Sequence, residues 1–95
     1  MADDQVKRRL QSIGFECFIK HIELFNDKGM SVDSAVKHLM DREKYTESGS
    51  RIRVSNARLI IRDGQLYDAL KLVSLSKRVH SRWTDRARAL LAINK

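Results

Sequence analysis

Residues 49–64 read GSRIRVSNARLIIRDG, and this stretch decides how the chain is expected to fold. Four arginines stand among six aliphatic residues, with a single acid near the end. On a helix, where successive residues turn by about 100°, Arg51, Ser55, Arg58 and Arg62 fall on one narrow face, and the aliphatic residues fill most of the rest. The stretch therefore predicts an amphipathic helix with a basic face.

A short β-strand is the alternative for the beginning of this stretch. Residues 51–55 also alternate polar and apolar side chains with a period of two. A strand needs a partner, however, and no second strand-like run occurs elsewhere in the sequence. We therefore expect a helix, which ends at Asp63 and Gly64.

Helical spacing of apolar residues continues through the rest of the chain. The 95 residues include no proline and only four glycines, so few breaks between helices are obligatory. Ser31 is the expected N-cap of the helix that follows it. The expected buried stripes are Val6, Leu10 and Ile13; Phe15, Phe18, Ile19, Ile22 and Phe25; Val32, Val36, Leu39 and Met40; Leu66, Ala69, Leu70 and Val73; and Val79, Trp83, Ala87, Leu90 and Leu91. The sequence predicts an all-α fold, a compact single-domain bundle of five to six short helices over residues 1–95.

Charge divides the chain into two unlike halves. Residues 1–50 hold eight Lys/Arg and nine Asp/Glu, a balance of −1, whereas residues 51–95 hold eleven and three, a balance of +8. The polar stretch DREKYTESGS at 41–50 predicts a linker. We therefore expect a neutral helical half at 1–45, a polar loop at 46–50 and a basic helical half at 51–95.

The segment from Gln65 to Trp83, QLYDALKLVSLSKRVHSRW, resembles a helix-turn-helix. A short helix, a turn with serines and a second helix rich in bases match that outline, in which the second helix enters the major groove of DNA. The segment departs from the pattern at the turn, where Val73 or Ser74 stands in place of the usual glycine, and Val79 comes one residue early. The resemblance covers about twenty residues, and packed helix pairs in general share it.

These features favour a small basic protein that binds nucleic acid, with double-stranded DNA preferred over RNA, in a regulatory or accessory role such as transcription regulation. Eight of the eleven bases in the second half are arginines, whose guanidinium groups pair well with phosphate and guanine. About five to seven phosphate contacts are expected. The candidate binding residues are Arg51, Ser55, Arg58, Arg62, Lys77, Arg78, Ser81, Arg82 and Arg88.

Two alternatives remain open. The same bases could dock on an acidic protein partner, as those of a small inhibitor or adaptor would. The phenylalanines of the first half could form a homodimer interface that sets two basic halves at a fixed spacing, although they also suit a core.

Enzyme chemistry, cofactors and membrane binding are not expected. Cys17 and His21 stand four residues apart, but a zinc site needs three or four ligands, and no catalytic, metal-binding or glycine-rich phosphate motif occurs. One cysteine cannot form an internal disulfide. With no apolar run of about 18 residues and no apolar signal core, the sequence predicts a cytoplasmic protein.

Overall fold

The computed structural model describes residues 2–93, with side chains from Asp4 onward. This part of the chain contains α-helices and no strand, so the all-α prediction is confirmed. The seven helices are α1 (Ala2–Ile13), α2 (Phe15–Lys20), α3 (Ile22–Phe25), α4 (Val32–Glu43), α5 (Glu47–Arg62), α6 (Leu66–Ser74) and α7 (Ser81–Ile93).

Helix α5 is the centre of the bundle. Its buried residues Ser50, Val54, Ala57 and Ile60 recur every three or four positions and form one face. This face and its flanks contact α1, α3, α4 and α6. Residues 51–55 are helical throughout, which excludes the strand alternative.

One core joins the helices. The predicted stripe of α1 is fully buried, and Phe18 stacks on Phe25 with ring centroids 6.2 Å apart. Ala87 brings α7 to the same core, where that helix packs against α6 and α2. The Cα radius of gyration is 12.5 Å, close to the roughly 12.4 Å expected of a compact chain of this length.

The helix expected over the phenylalanine-rich stretch is broken at His21. The backbone of this residue leaves the helical region at φ −114° and ψ 23°, and its buried ring reaches Glu43 of α4, with Nε2 2.9 Å from Oε1. Two short helices, α2 and α3, therefore replace one. This break raises the count above the predicted five to six.

The predicted loop at 46–50 is wrong. Thr46 is an N-cap, and its Oγ1 accepts a hydrogen bond of 3.0 Å from the backbone N–H of Gly49. Residues 47–50 consequently form the first turn of α5, and only 44–46 separate α4 from α5. The predicted cap at Ser31 is confirmed, since its side chain accepts from the N–H of Ser34.

The last helix begins later than expected. It starts at Ser81 rather than near Lys77, so six residues, 75–80, connect α6 and α7. A helix-turn-helix uses a turn of about three to four residues. Val79 is half-buried in the connection and does not belong to the helical stripe that contains Trp83.

None of the helices in the described range 2–93 combines the length and the apolar character that crossing a membrane requires.

Candidate functional site

The predicted basic face of α5 is largely engaged in contacts within the fold. Arg51 pairs with Asp33 of α4, with Nη1 3.0 Å from Oδ1. Arg58 is half-buried and donates from Nη2 to the carbonyl oxygen of Met30. These two side chains hold α5 against α4 and the segment before it.

The end of the same face lies in a second set of contacts. Arg62 Nε lies 3.0 Å from Oδ1 of Asp63, whose other oxygen lies 2.9 Å from Nη1 of Arg9. The two guanidinium groups, Arg62 first, hold the pKa of Asp63 below its ordinary value. Ser55 remains exposed on this face, but the bases beside it have partners.

Two bases of α7, Arg86 and Arg88, also have partners within the fold. Arg88 pairs with Asp85 at 3.0 Å and donates from Nη2 to the carbonyl oxygen of Ser74 at 3.2 Å. Arg86 reaches Glu23 of α3 at 3.4 Å. Acids of the first half of the chain thus neutralise some bases of the second.

Lys77, Arg78, Ser81 and Arg82 form what we call the α6–α7 basic surface. All four side chains are exposed, and the ion pairs found between described residues include none of them. The guanidinium of Arg82 lies 5.1 Å from the centre of the Trp83 ring, a cation–π contact that leaves its positive charge intact. Of the nine predicted binding residues, the structure brings these four together.

His80 is the N-cap of α7, the helix that carries Ser81 and Arg82 of this surface. Its Nδ1 accepts a hydrogen bond of 3.1 Å from the backbone N–H of Arg82. In the neutral imidazole, the accepting nitrogen carries no proton, so the proton lies on Nε2. The exposed His80 ring therefore offers an N–H donor on the side away from the helix.

A groove of about 610 Å³ adjoins the basic surface. It lies between the start of α2, Tyr45, the α5 residue Arg53 and the connection 75–80. Its walls include Phe15, Tyr45, Arg53, Arg78, Val79 and His80. Two arginines and a histidine thus reach the same groove from distant parts of the chain.

Arg53 is fixed at this groove by the protein itself. Its Nη1 donates to the carbonyl oxygen of Ile13, and its guanidinium carbon lies 4.0 Å from the centre of the Tyr45 ring. Its Nε is buried and lacks a hydrogen-bond partner in the described structure. No carboxylate among the described residues pairs with this guanidinium, so no ion pair neutralises its charge.

Two further groove residues are held neutral. Burial raises the pKa of Tyr45 to about 12 and also raises the pKa of the Cys17 thiol. At neutral pH, the phenol keeps its proton and the thiol is a poor nucleophile. These two residues therefore add no negative charge to the groove.

Glu16 is the acid of the groove. Its Oε1 accepts a hydrogen bond of 2.7 Å from Nε1 of Trp83. This contact ties α7 to α2 and leaves the indole half-buried against the core. Trp83 is therefore not an exposed platform for base stacking.

A polar cluster lies between the end of α2 and α4. Glu43 contacts Lys20 at 2.6 Å and His21 at 2.9 Å, and Lys20, followed by His21, lowers its pKa. The His38 ring lies 6.0 Å from that of His21. Within residues 2–93, no group of three or more His, Cys, Asp or Glu side chains is arranged to hold a metal ion.

The phenylalanines considered for a homodimer interface lie in the core. Phe18 and Phe25 are buried at 0% and 2% exposure, and Phe15 is half-buried beside them. Phe18 and Phe25 are therefore not available for a dimer interface in this fold, whereas Phe15 is partly accessible from the groove.

The sequence did not indicate Arg53, Tyr45 or His80 as site residues. Arg53 lies off the basic face of α5, and Tyr45 precedes that helix. The one sequence signal at Arg53 is the alternation of arginine and aliphatic residues at 51–54, which on a helix puts Arg53 outside the basic face that contains Arg51.

Comparison of this chain with protein-family models, with curated proteins and with solved structures finds no match.

Proposed function

We propose that this protein binds double-stranded DNA through the α6–α7 basic surface. The observation that carries the proposal is that Lys77, Arg78 and Arg82 are exposed within six residues and have no ion-pair partner in the described part of the chain. Such side chains can bind phosphates, and so release the counterions condensed on the DNA, without breaking contacts of the fold.

The start of α7 supports phosphate binding in a second way. The first turn of this 13-residue helix contains no acidic residue. The helix dipole places partial positive charge at the N-terminus of α7 and so favours anions, although His80 already accepts hydrogen bonds from the N–H groups of Arg82, Trp83 and Thr84. Exposed bases close to such an end are suited to the DNA backbone.

Duplex is preferred to a single strand because stacking surfaces are scarce. Tyr67 and Trp83 are the two aromatic residues of the basic half, and the Trp83 ring is half-buried. Proteins that bind single strands stack successive bases on aromatic side chains. In this proposal α6 and α7 act as a helix-turn-helix pair with a lengthened connection, in a regulatory or accessory role in the cytoplasm.

The test is fluorescence anisotropy with a labelled duplex of mixed sequence at 50 and 200 mM salt. Three phosphate contacts predict a slope near −2.7 for log affinity against log salt, and hence about a 40-fold loss over this fourfold change. The triple variant Lys77→Gln, Arg78→Gln and Arg82→Gln should lose most of the affinity and nearly all of the slope.

A matched variant removes the same charge elsewhere. Lys7, Lys28 and Lys37 are exposed and take part in none of the ion pairs recorded for residues 2–93. Changing all three to Gln should leave the slope within about 0.5 of wild type. Equal losses in the two variants, or no duplex binding at 50 mM salt, would refute the proposal.

One observation favours the alternative, a module that docks on an acidic protein. Leu75, at the start of the connection, is 67% exposed beside the bases. An aliphatic side chain within a basic surface is suited to anchor a protein partner. Leu75→Ser should leave duplex affinity unchanged if DNA is the ligand, whereas an adaptor would bind an acidic polypeptide and lose that binding on this substitution.

A further inference from the structure

The groove beside the basic surface has chemistry of its own. It gathers Arg53, Arg78 and the imidazole of His80, which are separated by up to 27 residues in sequence. We propose that this groove binds a phosphate monoester, with the phosphoryl group held by these three side chains. Arg78 belongs to both the groove and the α6–α7 basic surface, whereas Lys77 and Arg82 do not line the groove, so variants of these residues test the two proposals separately.

Each of the three side chains can donate to an anion. Arg53 is positioned by Ile13 and by the Tyr45 ring and carries no ion pair within the described residues. Arg78 is exposed, and its backbone N–H donates to Ser76 Oγ at 3.3 Å, whereas its guanidinium has no hydrogen bond to any residue in the range 2–93. His80 accepts through Nδ1, which leaves the Nε2 proton for a ligand.

The number and charge of these donors select the ligand class. A phosphate monoester has three terminal oxygens and a charge of about −1.5 to −2 at neutral pH. A carboxylate has two oxygens and one charge, so it cannot serve three separate donors as well. Glu16 in the same groove carries a negative charge that opposes an anion, so the bound phosphate depends on the two arginines to offset it.

The remaining walls suit the organic part of such a molecule. Phe15 and Val79 are half-buried apolar side chains, and the Tyr45 phenol stays protonated. A volume near 610 Å³ lies within the range of about 300–1,000 Å³ that is typical of small-molecule sites. The phosphate can lie against the bases while a sugar or ring packs on the apolar wall.

Isothermal titration with adenosine 5′-monophosphate tests the proposal, with adenosine as the matched probe that lacks phosphate. At low ionic strength, we expect saturable binding of the monophosphate at least about tenfold tighter than that of adenosine. Arg78→Gln, which removes an exposed side chain, should weaken monophosphate binding about tenfold. His80→Asn, which can still cap α7, should weaken it about threefold to tenfold.

Two control variants distinguish specific binding in the groove from general electrostatic attraction to the basic surface. The double variant Lys77→Gln and Arg82→Gln should bind the monophosphate as wild type does. Glu16→Gln removes the opposing charge, keeps an acceptor for Trp83 and should tighten binding. Equal affinity for the two probes, or equal weakening by Arg78→Gln and by the double variant, would overturn the proposal.

The phosphate monoester could be free or could end a DNA strand. A 5′-phosphorylated duplex and its 5′-hydroxyl counterpart, compared in wild type and Arg53→Gln, distinguish these sources. A preference for the phosphorylated duplex that Arg53→Gln abolishes assigns the groove to strand ends. Equal duplex affinities with tight monophosphate binding assign it to a free ligand. Duplex binding lost together with monophosphate binding in Arg78→Gln, but not in Arg53→Gln, would mean that the groove has no site of its own.

Discussion

Arg9 should contribute more to stability than any other base of the first half. Arg9 lies on α1, and only 12% of its side chain is exposed. Its Nη1 donates to Oε1 of Gln65 at 2.7 Å and pairs with Asp63 at 2.9 Å. Gln65 in turn donates to Oε1 of Gln5 at 2.9 Å. One guanidinium thus ties α1 to the turn between α5 and α6.

The expected effect of Arg9→Met follows from these contacts. The substitution keeps an aliphatic side chain but leaves Oε1 of Gln65, a residue 8% exposed, without its charged donor. A hydrogen bond to a charged group contributes about 1.5–3 kcal/mol, and the partly exposed ion pair with Asp63 adds little. We expect a loss of about 2 kcal/mol, or roughly 8–16 °C in melting temperature for a domain of this size.

Urea unfolding followed by circular dichroism measures the change, with Arg8→Met as the matched control. Arg8 is the neighbouring residue, its side chain is exposed, and it makes no ion pair with any described residue. Its substitution should stay within about 0.5 kcal/mol of wild type. If both variants unfold at the same urea concentration, Arg9 does not hold the turn, and the reasoning from its contacts is wrong.

Three further outcomes are expected. Cys17 is 5% exposed and has a raised pKa, so a thiol reagent at pH 8 should modify it roughly tenfold or more slowly in the native protein than in urea; equal rates would contradict its burial. Gly14 has a φ of +91°, and an added Cβ would lie 3.3 Å from Nη1 of Arg53, so Gly14→Ala should cost about 1–3 kcal/mol by urea unfolding. Because Lys20 lowers the pKa of Glu43 in the fold, Glu43→Gln should be less stable than wild type near pH 7. That difference should disappear as the pH falls from the ordinary glutamate pKa of 4.5 through the lower folded value, and a gap that persists at pH 2 would exclude this ionic origin.

Local patterns predicted much of the fold. The stripe of α1 and the cap at Ser31 were found because apolar spacing and capping act within a few residues. The same local argument failed at 46–50, where a polar composition suits the first turn of a helix as well as a loop. The break at His21 depends on Glu43, which is 22 residues away, and no local pattern contains that contact.

The candidate site was predicted less well, because charge along the chain does not determine which bases stay exposed. Arg58 bonds to a carbonyl oxygen 28 residues away, and Arg51 pairs with an acid of the neutral half. The separation of charge between the halves therefore overstated the basic surface. Lys77 and Arg78 in the connection and Arg82 at the start of α7 pair with no described acid, and Glu16, the acid of the first half in the adjoining groove, bonds to Trp83 instead.

The six-residue connection between α6 and α7 presents several side chains that do not belong to the core. Four of its residues, Leu75, Lys77, Arg78 and His80, are exposed, whereas Val79 is half-buried. Substitutions at Leu75, Lys77 and Arg78 can therefore alter the charge and polarity of this surface while the core keeps its shape.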